Sequence, residues 1–179
     1  MPSKPKTLSC ELIAQTRIFR VERLQLRFEN GNEVEFERLR GSGRGAIMVI
    51  PMLDADTVLL IREYAAGLDR YELAFPKGLM DPGETPQQAA NRELQEEVGY
   101  AAREIELLKT LSVAPGYANF ETHVLLARDL YPQRLDGDEP EPLEVLSWSL
   151  SKLPELLARD DFVEARSIAA LYLLQQVII

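Results

Sequence analysis

The sequence predicts an α/β fold in which a mixed sheet is sandwiched between helices, an α/β/α layering, with an antiparallel hairpin ahead of it. Three observations predict this. Alternating apolar residues flank an Asn-Gly pair near the start, continuous apolar runs at 46–53 and 57–64 read as strands buried on both faces, and helical patterns fall at 85–99 and 163–177. Strands first, one helix among them and another at the end are the element order of a sheet covered on both sides.

Taken in order, the first ten residues, MPSKPKTLSC, read as a short polar tail. Phe19, Val21, Leu24, Leu26 and Phe28 then alternate before Asn30-Gly31, and Val34, Phe36 and Leu39 alternate after it, which predicts two strands around a tight turn. Gly41, Gly43 and Gly45 loosen the chain and place the boundary between an N-terminal strand module, 1–44, and the main domain, 45–179. The runs 46–53 and 57–64 follow, joined by Asp54-Ala55-Asp56, and a shorter strand is expected at 71–75. In the helix after it, Thr85 is the expected N-cap, Pro86 the first residue, Gln88 the partner in a capping box and Gly99 the stop. Strands are expected again at 105–113, 121–127 and 143–148, a helical segment at 151–158, and a last helix from 163 capped by Asp161 with Glu164.

Composition narrows the function classes. With 179 residues, 46% of them hydrophobic, the chain has room for one sizeable core. A net charge of −9 argues against nucleic-acid backbones and anionic membranes as main partners. The lone Cys10 excludes an intrachain disulfide, no segment has the length of a membrane span, and the cytoplasm is the expected compartment. His123 is the only histidine and lies in a predicted strand, where a structural role is expected.

The chemistry lies between Gly78 and Tyr100, GLMDPGETPQQAANRELQEEVGY. On a helix, Glu93, Glu96 and Glu97 at i, i+3 and i+4 emerge together and repel, and a hard divalent ion with oxygen ligands relieves that repulsion. A solvated acidic face with Arg92 as internal counter-ion is the bland alternative. Ala89, Ala90, Leu94 and Val98 form the apolar stripe that packs on the sheet.

The whole string resembles the Nudix box: Gly78, Glu84, Arg92-Glu93, Glu96-Glu97 and Gly99 stand at its spacing, with Tyr100 in place of the usual aliphatic residue. A chance match in a chain of this length is on the order of one in a million. The resemblance implies a Nudix-type α/β/α sandwich and hydrolysis of a nucleoside diphosphate linked to another group. It implies magnesium or manganese held by Glu93, Glu96 and Glu97, with Glu84 and Arg92 bracing the loop and the Lys77 carbonyl as a further ligand. By the same resemblance Glu93 and Glu97 are catalytic. The Pro115-Gly116 pair and the loop 137–145 resemble the ADP-ribose pyrophosphatase branch, which implies a catalytic glutamate at Glu141, with Glu139 second.

The strings at 62–73, 75–84, 89–99, 129–132, 137–143 and 164–167 resemble a bacterial subgroup that acts on ADP compounds. That resemblance implies ADP-ribose, NADH and short diadenosine polyphosphates as substrates, AMP plus the other half as products, and a homodimer formed partly through the N-terminal strands. Where the branch carries an arginine this chain has Ala65, so the phosphate-gripping cation is sought at Arg62 or Lys77, with Arg62 as the substrate contact. Tyr64, Tyr71 and Tyr117 are candidates to stack on a base. The apolar end Val177-Ile178-Ile179 adds to the dimer expectation. An RNA carrying an NAD cap, and a silent nucleotide-binding module of the same fold, are the alternative readings.

Overall fold

The computed structural model describes residues 3–41 and 43–177, so the expected apolar end at Ile178-Ile179 lies outside the described residues. The chain divides into two compact units, Met1–Gly45 with Ser112–Glu121, and Ala46–Leu111 with Thr122–Ile179.

In the first unit β1 (Lys6–Gln15), β2 (Arg20–Arg27) and β3 (Glu33–Arg40) form an antiparallel sheet in that order. The hairpin around Asn30-Gly31 is the one expected: Arg27 pairs with Glu33, and Gly31 takes the left-handed φ of 85° that a side chain resists. The polar tail is a correction, since Lys6 onward is strand. Leu8, Cys10 and Leu12 alternate there, but too few apolar residues mark the run, and pairing with β2 supplies what propensity does not. The connection 114–119 also joins this unit. Leu39 N–H donates to the Tyr117 carbonyl at 2.7 Å, and Gly41 N–H to Asn119 Oδ1 at 2.8 Å.

The second unit holds two sheets. One has β4 (Ala46–Pro51) between β7 (Lys77–Leu79) and β9 (Phe120–Pro132), with β8 (Tyr100–Val113) outside β9. The other has β5 (Thr57–Ala65) between β6 (Arg70–Ala74) and β10 (Glu144–Ser149). The first sheet is mixed, because β4 runs parallel to β9 and antiparallel to β7. The short β7 was not expected; three residues are too few to carry a period.

Alternation along β4 builds the layers. Met48 and Ile50 pack with Leu153, Leu156, Ala170, Leu171 and Leu174 of α2 (Leu153–Leu157) and α3 (Ala165–Gln175). Ile47 and Val49 pack with Ala89, Ala90, Leu94 and Val98 of α1 (Pro86–Glu93) and its continuation. The expected sandwich is formed, with every one of these β4 side chains fully buried. No helix among the described residues is long and apolar enough to cross a membrane.

The start of α3 differs from expectation. Glu164, not Asp161, is the N-cap, accepting the Ser167 N–H at 2.8 Å. Asp161 is taken by two cations, Arg159 at 2.7 Å and Arg62 at 2.6 Å, which outbid a backbone amide. Arg159 first, then Arg62, hold its carboxyl well below the usual range. Because the folded value is depressed, the stabilisation is fully present above the unfolded value near 3.8 and fades as pH falls below it. Asp161→Asn is expected to lower stability in urea at pH 7, and its gap to the parent chain to narrow at pH 3.

Candidate active site

The site is laid out by β7 and the helix after it. Lys77, Gly78 and Leu79 pair with Met48, Ile47 and Ala46, which fixes the strand that leads into the box loop. Thr85 caps α1 as expected, with the reciprocal bonds Gln88 N–H to Thr85 Oγ1 at 3.2 Å and Thr85 N–H to Gln88 Oε1 at 2.8 Å. The expected uniform α-helix is corrected at its end: Leu94–Val98 forms a π-helical turn, closed by Gly99 N–H on the Leu94 carbonyl at 3.0 Å. The wider turn keeps Leu94 and Val98 in the core while turning Glu97 inward. Gly99 ends it in the left-handed region at φ 81°.

The solvated-face alternative does not hold, because Glu93 and Glu97 are only 8% and 4% exposed. Arg92 gathers most of the box charge. Its Nε and Nη2 donate to the two oxygens of Glu84 at 2.9 and 3.0 Å, and Nη2 also to the Leu79 carbonyl at 2.9 Å. Its Nη1 donates to Glu93 Oε1 at 2.8 Å and Glu96 Oε2 at 2.9 Å. The Glu84–Arg92 brace thus forms, and it extends to two of the three carboxylates assigned to metal. Glu84 also accepts the Asp81 N–H at 2.8 Å, and Arg92 holds its carboxyl low.

Gly78 is required by packing. A Cβ there would lie 1.9 Å from Glu93 Oε1, so only the bare Cα admits the carboxylate. Glu97 accepts the Lys77 N–H at 3.0 Å. Burial first, then repulsion from Glu93, pushes the Glu97 carboxyl up to about 9. Burial also raises Glu93, against the pull of Arg92.

Around this pair the fold collects further charged and aromatic side chains. Lys77 Nζ pairs with Glu63, and Glu63 acts electrostatically on both Glu97 and Glu139. Asp138 does so on Glu93 and Glu139. Desolvation and then repulsion from Glu63 and Asp138 raise the Glu139 carboxyl. Glu141 accepts the Tyr71 hydroxyl proton at 2.6 Å, and Tyr71 stacks edge-on with Tyr64, ring centroids 5.4 Å apart. Arg62 is engaged by Glu144 at 2.7 Å and Asp161 at 2.6 Å. Lys77 stood in the sequence as a cation candidate; Asp138 carried no signal beyond its charge.

As the side chains stand, no three His, Cys, Asp or Glu residues among the described residues are grouped to hold a metal ion. The donor set nonetheless suits a hard divalent cation. Glu93, Glu96 and Glu97 are carboxylates and Lys77 offers a carbonyl, and Glu93 and Glu97 are raised chiefly by burial, a cost that a bound cation would offset. Removing the guanidinium leaves three partly buried carboxylates uncompensated. Arg92→Gln is expected to cost about 2 to 4 kcal/mol in denaturant unfolding, and Arg92→Lys to recover little, since an ammonium cannot replace the fork.

Comparison with known proteins bears on the whole chain. Residues 43–171 match the NUDIX domain, and residues 5–38 match the NudE-type Nudix hydrolase N-terminal domain. ADP compounds hydrolase NudE of Escherichia coli strain K12 is 48% identical over 173 residues, 97% of this chain and 92% of that protein. ADP-ribose pyrophosphatase of Bacillus subtilis strain 168 is 29% identical, covering 95% of each. A crystal structure of an ADP compounds hydrolase superposes with a TM-score of 0.92 at 47% identity, over 98% of this chain and 95% of that one. The chain belongs to the Nudix hydrolase family, with a NUDIX domain following a NudE-type N-terminal domain.

Proposed function

We propose that this protein hydrolyses the pyrophosphate linkage of ADP-containing nucleotides, with ADP-ribose, NADH and short diadenosine polyphosphates as substrates and AMP plus the other phosphorylated half as products. The observation that carries the reading is the assembled box: Glu97 buried and held by the Lys77 N–H, beside a Glu93 that only Gly78 accommodates. The names of the relatives in Escherichia coli and Bacillus subtilis support ADP compounds as the substrate class.

Glu93, Glu96, Glu97 and the Lys77 carbonyl would hold Mg²⁺, or Mn²⁺ in its place. When bound, such an ion supplies charge neutralisation at the anhydride oxygens. Arg92 fixes the loop through Glu84 and Leu79, and the Lys77 N–H orients Glu97. The leaving group is a phosphate monoester and needs little protonation, so no Ser-His-Asp set is required. The remaining task is removal of a proton from attacking water, by a carboxylate of the loop before β10. Glu139 has the electrostatic surroundings for it, with its carboxyl raised beside Glu63 and Asp138, while Glu141 shares its oxygen with Tyr71. Lys77, paired with the single carboxylate of Glu63, takes the phosphate-gripping role in preference to Arg62, which is held by both Glu144 and Asp161.

The working form is proposed to be a homodimer in the cytoplasm. Leu8, Leu12, Val34 and Phe36 are exposed on the N-terminal strands, an apolar surface that a second copy would cover.

Incubation with ADP-ribose and Mg²⁺ is expected to release AMP, and absence of AMP across a panel of nucleotide anhydrides would sink the proposal. Glu97→Gln is expected to lower turnover by several powers of ten, and Gly78→Ala by at least about a hundredfold, with folding retained in both by circular dichroism. Glu139→Gln is expected to lower kcat with ion affinity unchanged; the same result at Glu141→Gln alone moves the base there. Light scattering at micromolar concentration is expected to give twice the monomer mass.

A further inference from the structure

The N-terminal unit holds a concentration of arginine that the hydrolytic reading does not use. Thr16, Arg17, Ile18, Arg20, Arg40 and Arg44 line one pocket of about 170 Å³. One water needs only about 15 Å³ by this kind of measure, so the pocket admits a group the size of a phosphoryl anion. On a chain of net charge −9, so many cations around one pocket are out of keeping with the rest of the sequence.

Strand register makes the placement costly. Arg20 and Arg40 are direct cross-strand partners in the β2–β3 pairing, a position where like charges destabilise a sheet. Compensation is incomplete. Glu22 receives Arg40 at 2.7 Å and Arg38 at 2.8 Å, so one carboxylate serves two guanidiniums. Among the described residues Arg17 and Arg20 have no acidic partner. The turn presenting Arg17 is held in shape, with Thr16 N–H on the Phe19 carbonyl at 2.8 Å and Phe19 N–H on Thr16 Oγ1 at 2.9 Å. A preformed turn, guanidinium forks and an incompletely compensated like-charge pair are what a bound oxyanion would satisfy.

We propose that this pocket is an anion site for a phosphoryl group, with Arg17, Arg20 and Arg40 as its donors. Glu22 is a positioning residue that keeps Arg40 at the rim while Arg17 and Arg20 supply the free charge. The phosphoryl group comes either from free inorganic phosphate or from the phosphate of a nucleotide. The site is built within the N-terminal unit, and its existence does not depend on the hydrolytic reading.

The test is calorimetric titration of the full chain, without metal, with inorganic phosphate and with AMP, alongside amide chemical shifts of Thr16 and Ile18. The parent chain is expected to bind with shifts at those amides. Arg17→Gln/Arg20→Gln is expected to weaken binding at least about tenfold. Arg17→Lys/Arg20→Lys should weaken it less, and Arg103→Gln/Arg128→Gln, the same charge change outside the pocket, should leave it unaltered. Equal affinity for the two probes identifies free phosphate as the source; tighter AMP binding, lost in the Gln pair, identifies a nucleotide. Equal weakening in the control pair would reduce the effect to general charge attraction and overturn the proposal. So would absence of binding by both probes, including the case in which the Gln pair splits a dimer and shows that a second copy covers the pocket.

Discussion

One guanidinium organises the acidic heart of the larger unit. Arg92 reaches Glu84, Glu93, Glu96 and the Leu79 carbonyl, which ties the box loop, the end of β7 and the helix into one piece. Without such a fork, carboxylates at this spacing would have to separate or take up protons. Glu97 is the exception that defines the site. It lies on the turn after Arg92, is held by the Lys77 backbone N–H rather than by a guanidinium, and has its carboxyl pushed up by burial.

The sheet explains why such a cluster can be buried at all. β4 is covered on both faces, so the helix on one face is anchored through Ala89, Ala90, Leu94 and Val98 and cannot swing its acidic side into solvent. Desolvating carboxylates is expensive, and the expense is borne by apolar packing on the other side of the same helix. The π-helical turn belongs to this compromise, keeping Leu94 and Val98 in the core with Glu97 turned inward.

The N-terminal unit obeys a different economy. Its strands bury little, with Leu24 and Ala118 as its buried apolar side chains among the described residues. Its ladder also places Arg20 opposite Arg40. Local rules broken where the core gives no compensation point to surfaces that work by binding something else.

Much of this molecule was legible along the chain because it rests on short-range physics. The Asn-Gly turn, the Thr85–Gln88 capping box, the Gly99 stop and the paired runs of β4 and β5 depend on residues within a few positions of one another, where sterics and period decide. The Glu84–Arg92 brace was legible only through the resemblance of the box. What the sequence left open depends on separation. β1 needed its partner strand, and Asp161 was drawn away from a helix cap by its neighbour Arg159 together with Arg62, 99 positions distant. The crowding of Glu63, Asp138 and Glu139 around the box, and the contact that makes Gly78 indispensable to Glu93, exist only once strands and loops from distant stretches meet. Charge type and spacing are written in one dimension; burial, and with it the proton affinity of each carboxylate, is decided by what the tertiary fold packs around them.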